Sequence, residues 1–183
     1  MRIAFTGTSS TGKTTTARHL EKSGSLSRLG LQLLSPPNTR AGLKKRVSEL
    51  SNTEKLTFQT QRFHDKMSVE VNASDYLVER SFVDLLAYRC LIAPYPSKEE
   101  IDRHISLAKS YSLHFFFPSG VIQYEDDGAR PDEKYSLCIS TKIQEIMDSN
   151  EIQYISLTNP SLEARCDIIC AEILKFKNSS ERR

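Results

Sequence analysis

The residues that most constrain this chain are Gly7-Thr8-Ser9-Ser10-Thr11-Gly12-Lys13-Thr14, which fill every fixed position of the pattern G-x-x-x-x-G-K-[S/T]. An apolar run, 2–6, leads into them and a helical stretch, 13–23, leads out, which is the context the pattern requires. Glycines at 7 and 12 let the backbone curl until successive N–H groups face one point. The start of the following helix adds its own unpaired N–H groups and the positive end of its dipole. Such a cradle suits phosphate oxygens. Lys13 is placed to reach the β- and γ-phosphates of a nucleotide, Thr14 to offer its hydroxyl to Mg²⁺, and Thr15 to assist at the α-phosphate. The candidate nucleotide-binding residues are therefore Gly7, Thr8, Ser9, Ser10, Thr11, Gly12, Lys13, Thr14 and Thr15. A chance match would not join strand, loop, Lys-Thr pair and helix in this order. The loop is silent on what the nucleotide is used for.

The rest of the chain repeats the alternation that the loop begins. Apolar runs at 2–6, 31–34, 76–79, 113–117 and 153–157 read as strands, apolar on both faces as in a buried parallel sheet. Helical stripes lie between them: Leu43, Val47 and Leu50; Leu56, Phe63, Met67 and Val71; Ile101, Ile105 and Ala108; Ile139, Ile143 and Ile146; Leu162, Cys166, Ile169 and Ile173. The expected fold is α/β, a five-stranded parallel sheet with helices on both faces in three layers. We expect a single domain over 1–177, with an insertion at 36–73 over the carboxyl ends of the strands, where ligands bind in such sheets, and a frayed tail at 178–183.

Bulk properties exclude several classes. With 183 residues, 38% hydrophobic and 26% charged, the chain can build one globular core. A net charge of +2 is too small to imply nucleic acid or a membrane as partner, and no apolar run approaches the ~18 residues that span a bilayer. The start MRIAFTGTSS turns polar too soon for a secretory signal. Cys90, Cys138, Cys166 and Cys170 form no C-x-x-C pair, so reduced thiols in a cytoplasmic setting are expected, with Cys166 and Cys170 in core packing. His64 and His104 have no neighbouring ligands in sequence that would suggest a metal site.

Two further segments carry chemistry. The run at 76–78 ends in Glu79-Arg80-Ser81. A carboxylate there can hold a Mg²⁺-bound water or take a proton from an acceptor hydroxyl, and Arg80 can grip phosphate or carboxylate with two N–H groups. Asp84 follows on the next helical turn, placed to brace Arg80 or to approach the metal. The alternative is a solvated Glu-Arg pair at a strand end. After Pro118 the segment 119–131 is long, polar and glycine-containing, which suits a lid. Its Arg130 would neutralise charge on the transferred group; the alternative is a plain surface loop.

The combination of IAFTGTSSTGKTT, a strand ending Glu79-Arg80-Ser81, an apolar strand ending in Pro118, and Glu125-Asp126-Asp127-Gly128-Ala129-Arg130 resembles a family of small P-loop kinases and ATPases related to the ribosylnicotinamide kinase domain, many of them short phage or bacterial proteins. The Glu79-Arg80-Ser81 triplet is also similar to that of deoxyribonucleoside kinases. The resemblance implies a P-loop NTPase fold, ATP with Mg²⁺, and transfer of the γ-phosphoryl group to a nucleoside, nucleotide or related small hydroxyl. It places Glu79 and Arg80 at the acceptor and Arg130 on the phosphates. One departure is that such families often carry an acidic residue at the end of strand two before an arginine. Here Ser35-Pro36-Pro37-Asn38-Thr39 precedes Arg40 with no carboxylate, so Glu79 or Asp84 must serve as any general base.

On the acceptor side, Phe58, Gln59, Gln61, Arg62 and His64 share one helix, where amides can read a base edge and Phe58 can stack on a base, or else Phe63 and Met67 turn inward and the polar residues meet water. Arg40, Phe58, Gln59, Gln61 and Arg62 make up the candidate acceptor set. Lys44, Lys45 and Arg46 form either a solvated face or an attraction for a phosphorylated or polymeric acceptor. No guanine-reading N/T-K-x-D motif occurs, so ATP is the default donor, its adenine expected beside Asn159 by fold analogy. The expected activity is that of a kinase with catalytic residues Lys13, Glu79, Arg80, Asp84 and Arg130, and with Thr14 and Glu79 at Mg²⁺. An ATPase or nucleotide-dependent regulator, and a kinase of a hydroxylated base in DNA, are the alternatives.

Overall fold

The structure, a computed structural model, describes residues 1–37, 43, 45–124 and 132–180. Among them run β1 (Arg2–Thr6), α1 (Lys13–Lys22), α2 (Ser25–Arg28), β2 (Gln32–Leu34), α3 (Asn52–Glu70), β3 (Tyr76–Glu79), α4 (Phe82–Arg89), α5 (Lys98–Ala108), β4 (Leu113–Phe116), α6 (Glu133–Ser149), β5 (Ile155–Ser156) and α7 (Leu162–Ser180). The five strands pair in parallel in the order β2-β3-β1-β4-β5. This is the expected α/β fold, with the strands near their expected places.

Alternate residues of each strand face opposite ways, and here both faces are covered. Ala4, Tyr76, Val78 and Phe116 pack with Phe63, Phe82, Leu86, Ile105, Ile139 and Ile143 from α3 to α6. Ile3, Phe5, Leu77, Phe115 and Phe117 pack with Ala17, Leu20, Leu26, Cys166, Ile169 and Ile173 from α1, α2 and α7. Phe5 meets Phe115 edge to face at 5.9 Å, an arrangement that adds about 0.5–1.5 kcal/mol to area burial. Cys166 is buried and Cys170 packs against the same layer, as expected.

Three local expectations are corrected. The stripe Leu43, Val47, Leu50 is not a helix. Only Val47–Glu49 form a single 3-10 turn, with Leu50 buried beyond it, so Lys45 and Arg46 do not lie on a helix; Lys44 is outside the described residues. The inward face of α3 is Phe58, Gln59, Phe63, Lys66 and Glu70; Val71, counted in the apolar stripe, is 62% exposed. That face holds because Glu70 has buried polar partners, described below. Finally, α7 continues to Ser180, so 178–180 are helical rather than frayed.

Candidate active site

The loop between β1 and α1 owes its path to backbone that side chains oppose. Gly7 has φ 144°, and a Cβ there would stand 2.5 Å from the Phe117 carbonyl oxygen. Gly12, at φ 81°, caps α1 in the left-handed region, and a Cβ would meet the Ile122 Cδ1 and Arg165 Nη2 atoms at 2.6 and 3.1 Å. Glycine alone avoids both the strain and the clash. The buried Lys13 ammonium turns into the loop, donating to the Thr8 carbonyl and, at 2.8 Å, to the Thr11 hydroxyl. Burial, with the Arg80 cation nearby, lowers its pKa from 10.5 to about 7.

Beside the loop mouth the Thr14 hydroxyl donates to Glu79 Oε2 at 2.6 Å. This joins the end of β3 to the start of α1 and sets two hard oxygen donors side by side. Such donors fit Mg²⁺, which takes few protein ligands and completes its shell with water and phosphate.

Arg80 follows at φ 68°, a left-handed conformation unusual for a side chain with a Cβ. Its guanidinium turns back to the phosphate loop, with long hydrogen bonds of 3.4 Å to the Gly7 carbonyl and the Ser9 hydroxyl. It lines the same cavity as Glu79. Ser81 caps α4 and Asp84 closes the capping box. Asp84 does more than cap. It is fully buried; Oδ1 accepts the Gly7 N–H at 2.8 Å, and Oδ2 accepts the Ser81 N–H at 2.6 Å and its hydroxyl at 2.9 Å. Both oxygens are thus committed behind the loop, and of the two carboxylates after β3 it is Glu79 that lines the cavity.

The cavity has a volume of about 630 Å³. Its donor wall is Ser9 to Thr15 with Ile122, Gln123, Pro160 and Arg165; its far wall is Leu34 to Pro37 at the end of β2 together with Arg62, Asp65 and Lys66 of α3. Gly7 and Thr8 do not line the cavity; the buried Thr8 hydroxyl pairs with that of Tyr88 at 3.1 Å. Of the expected acceptor residues, Arg62 lines the cavity while Phe58, Gln59 and Gln61 do not. Phe58 is buried under the Arg62 guanidinium, and Gln61 is exposed and hydrogen-bonded to Asp65. Asn159 is spent locally: its Oδ1 accepts the Ser161 N–H at 2.9 Å, and Pro160 takes the place on the wall. Arg40 and Arg130 lie outside the described residues; the start of the lid segment, at Ile122 and Gln123, does reach the loop.

Sequence reasoning missed Arg165, Lys66 and Tyr88. Arg165 on α7 donates to the Thr16 hydroxyl and to the carbonyls of Asn159 and Pro160, tying the loop after β5 to α1. Lys66 donates to the Arg80 carbonyl at 2.6 Å and pairs with Glu70, whose Oε2 accepts the Tyr76 and Tyr111 hydroxyls at 2.7 and 2.8 Å. Burial lowers the Lys66 pKa, and Glu70 opposes that shift. Among the described residues no cluster of three or more His, Cys, Asp or Glu could hold a metal by itself, and no helix is long and apolar enough to cross a membrane.

A family model, AAA_28, described as an AAA domain, matches residues 2–165. The chain belongs to the AAA_28 family. No curated protein matches it in sequence. Solved structures similar to it include deoxyadenosine kinase from M. mycoides, with TM-score 0.67, 12% identity, and coverage of 96% of this chain and 99% of that one. Thymidylate kinase from Candida albicans follows at TM-score 0.58 and 16% identity, covering 98% and 92%. NadR protein in complex with NR gives TM-score 0.63 and 12% identity, covering 96% of this chain and 50% of that one. At these identities the likeness shows the fold: this AAA_28 chain has the P-loop architecture shared by nucleoside and nucleotide kinases, in keeping with the resemblance read from its motifs.

Proposed function

We propose that this chain is an ATP-dependent phosphotransferase whose acceptor is a hydroxyl on a nucleoside, nucleotide or related small molecule. The observation that carries this reading is one continuous cavity, lined by the phosphate loop, by Glu79 and Arg80, and by the polar residues Arg62, Asp65 and Lys66 of α3. A nucleotide's phosphates would lie against the loop N–H groups between Lys13 and Arg80. The acceptor would enter from the side of Arg62 and Pro36. Thr14 and Glu79 would hold Mg²⁺, which neutralises charge on the β- and γ-phosphates when bound. Glu79 would take the acceptor proton or orient a water for that purpose. Asp84 would keep the loop and the Arg80 turn in register, and Arg130 of the lid would approach the transferred group. Catalysis of this kind is mostly positioning and charge neutralisation.

The test is a transfer screen with γ-labelled ATP across nucleosides, nucleotides and DNA. Label in a small acceptor supports the reading. Label in DNA moves the acceptor to a polymer, and equal ATP consumption with and without every acceptor replaces the kinase by an ATPase.

A further inference from the structure

Arg80 is a cation in a strained left-handed backbone, and two helices hold it there. From α3, Lys66 donates to its carbonyl, and Lys66 is itself fixed by Glu70 and by the rings of Phe82 and Tyr111 at 5.1 and 5.6 Å. From α4, the Tyr88 ring lies beneath the Arg80 guanidinium at 5.6 Å, and its hydroxyl bonds to that of Thr8. Ser81, Asp84 and Tyr88 are spaced three and four apart, so a single stripe of α4 meets Gly7, Thr8 and Arg80. Without Lys66 the Arg80 carbonyl loses its side-chain partner, and only the Arg80 N–H to the Phe5 carbonyl and the Ser81 N–H to Asp84 still hold the turn. Without Tyr88 the guanidinium loses the surface it rests on.

We propose that Lys66 and Tyr88 are positioning residues that fix Arg80 over the phosphate loop, Lys66 through its carbonyl and Tyr88 through its guanidinium. The turnover part of this inference rests on the phosphotransfer reading above; the geometry of Arg80 does not. Arg80 is held with its side chain only 18% exposed at the edge of the cavity. Displacing it should therefore open its guanidinium to an arginine-directed dicarbonyl reagent, a change read at Arg80 itself.

The experiment compares Tyr88→Leu, Tyr88→Phe and the compensated pair Lys66→Met with Glu70→Gln, each with Arg80 intact and in an Arg80→Ala background. Turnover and the rate of Arg80 modification by phenylglyoxal, mapped by mass spectrometry, are read together, with melting to confirm folding. Tyr88→Leu and the Lys66 pair should each lower kcat about tenfold or more, the scale of a small misplacement, with little change in the KM for ATP. Tyr88→Phe, which keeps the ring, should recover most of the loss. In Arg80→Ala these changes should cost less than about twofold, because partners in one unit are not additive. Arg80 modification should speed up several-fold in Tyr88→Leu and in the Lys66 pair, and stay near the wild-type rate in Tyr88→Phe. Equal turnover losses in both backgrounds, or an Arg80 modification rate unchanged in Tyr88→Leu and in the Lys66 pair, would overturn the inference. If the wild type transfers phosphate to nothing, the proposed function fails, and the Arg80 modification rates still decide the placement of Arg80.

Discussion

Nucleotide binding should take up a proton at Lys13. With the ammonium held at a pKa of about 7, about nine-tenths of Lys13 is neutral at pH 8 and about one-tenth at pH 6. The sign follows from burial, which disfavours the charged form until phosphate oxygens arrive. One phosphate charge at ~4 Å stabilises the ammonium by about 4 kcal/mol at an effective dielectric near 20, or roughly 3 pKa units. The bound lysine then stays protonated throughout the neutral range. Binding at pH 8 should thus absorb about 0.9 proton per nucleotide at this site, falling to about 0.1 at pH 6. Affinity should weaken with rising pH above 7, approaching tenfold per unit. Titration calorimetry in two buffers of different ionisation enthalpy measures the uptake directly. Lys13→Met supplies the baseline, including protons held by the phosphates themselves, and Lys13→Arg, which keeps its charge, should show no extra uptake. An uptake at pH 8 equal to that of Lys13→Met would refute the argument.

Further outcomes follow from the same geometry. Lys13→Ala should fold and lose phosphoryl transfer, measured by turnover alongside melting. Glu79→Gln should lower turnover by ~10²–10⁴ while leaving ATP binding at saturating Mg²⁺ nearly unchanged, since Gln keeps the shape and cannot take a proton. Asp84→Ala should lower stability by about 3–5 kcal/mol in denaturant unfolding, because it strips a buried carboxylate from the Gly7 and Ser81 N–H groups and from Arg80. Arg130→Ala should lower kcat and kcat/KM together by ~10²-fold or more, with little recovery in Arg130→Lys, in assays with and without acceptor.

The phosphate loop and all five strands could be read in the sequence because each is local: residues 7–14 define their own geometry, and a buried parallel strand is a short apolar run. The pairing of Thr14 with Glu79 was legible in outline, since Glu79 ends the strand next to β1 and Thr14 opens the helix that the β1 loop leads into. What was not legible depends on distance along the chain. Arg165 reaches Thr16 across 149 positions, and Asp84 reaches Gly7 across 77. The acceptor set expected on α3 is divided by the helix itself. Four polar or aromatic residues within 58–62 cannot all face one way on a helix that turns every 3.6 residues. Arg62 faces the cavity, Phe58 packs beneath it, and Gln61 pairs outward with Asp65. The stripe at 43–50 had the right spacing, yet among the described residues only 47–49 turn, as a single 3-10 helix, and Leu50 is buried without one.

Glu70 gathers Lys66, Tyr76 and Tyr111 at the carboxyl end of α3. That helix is therefore moored at one end, where it meets β3 and the neighbour of β4. Replacements in its last turns disturb the sheet and Arg80 together, so drift there is costly for any descendant of this chain. The first turns, from Asn52 to Thr57, carry no such obligation. A lineage can rework them while the machinery around the phosphates stays as it was.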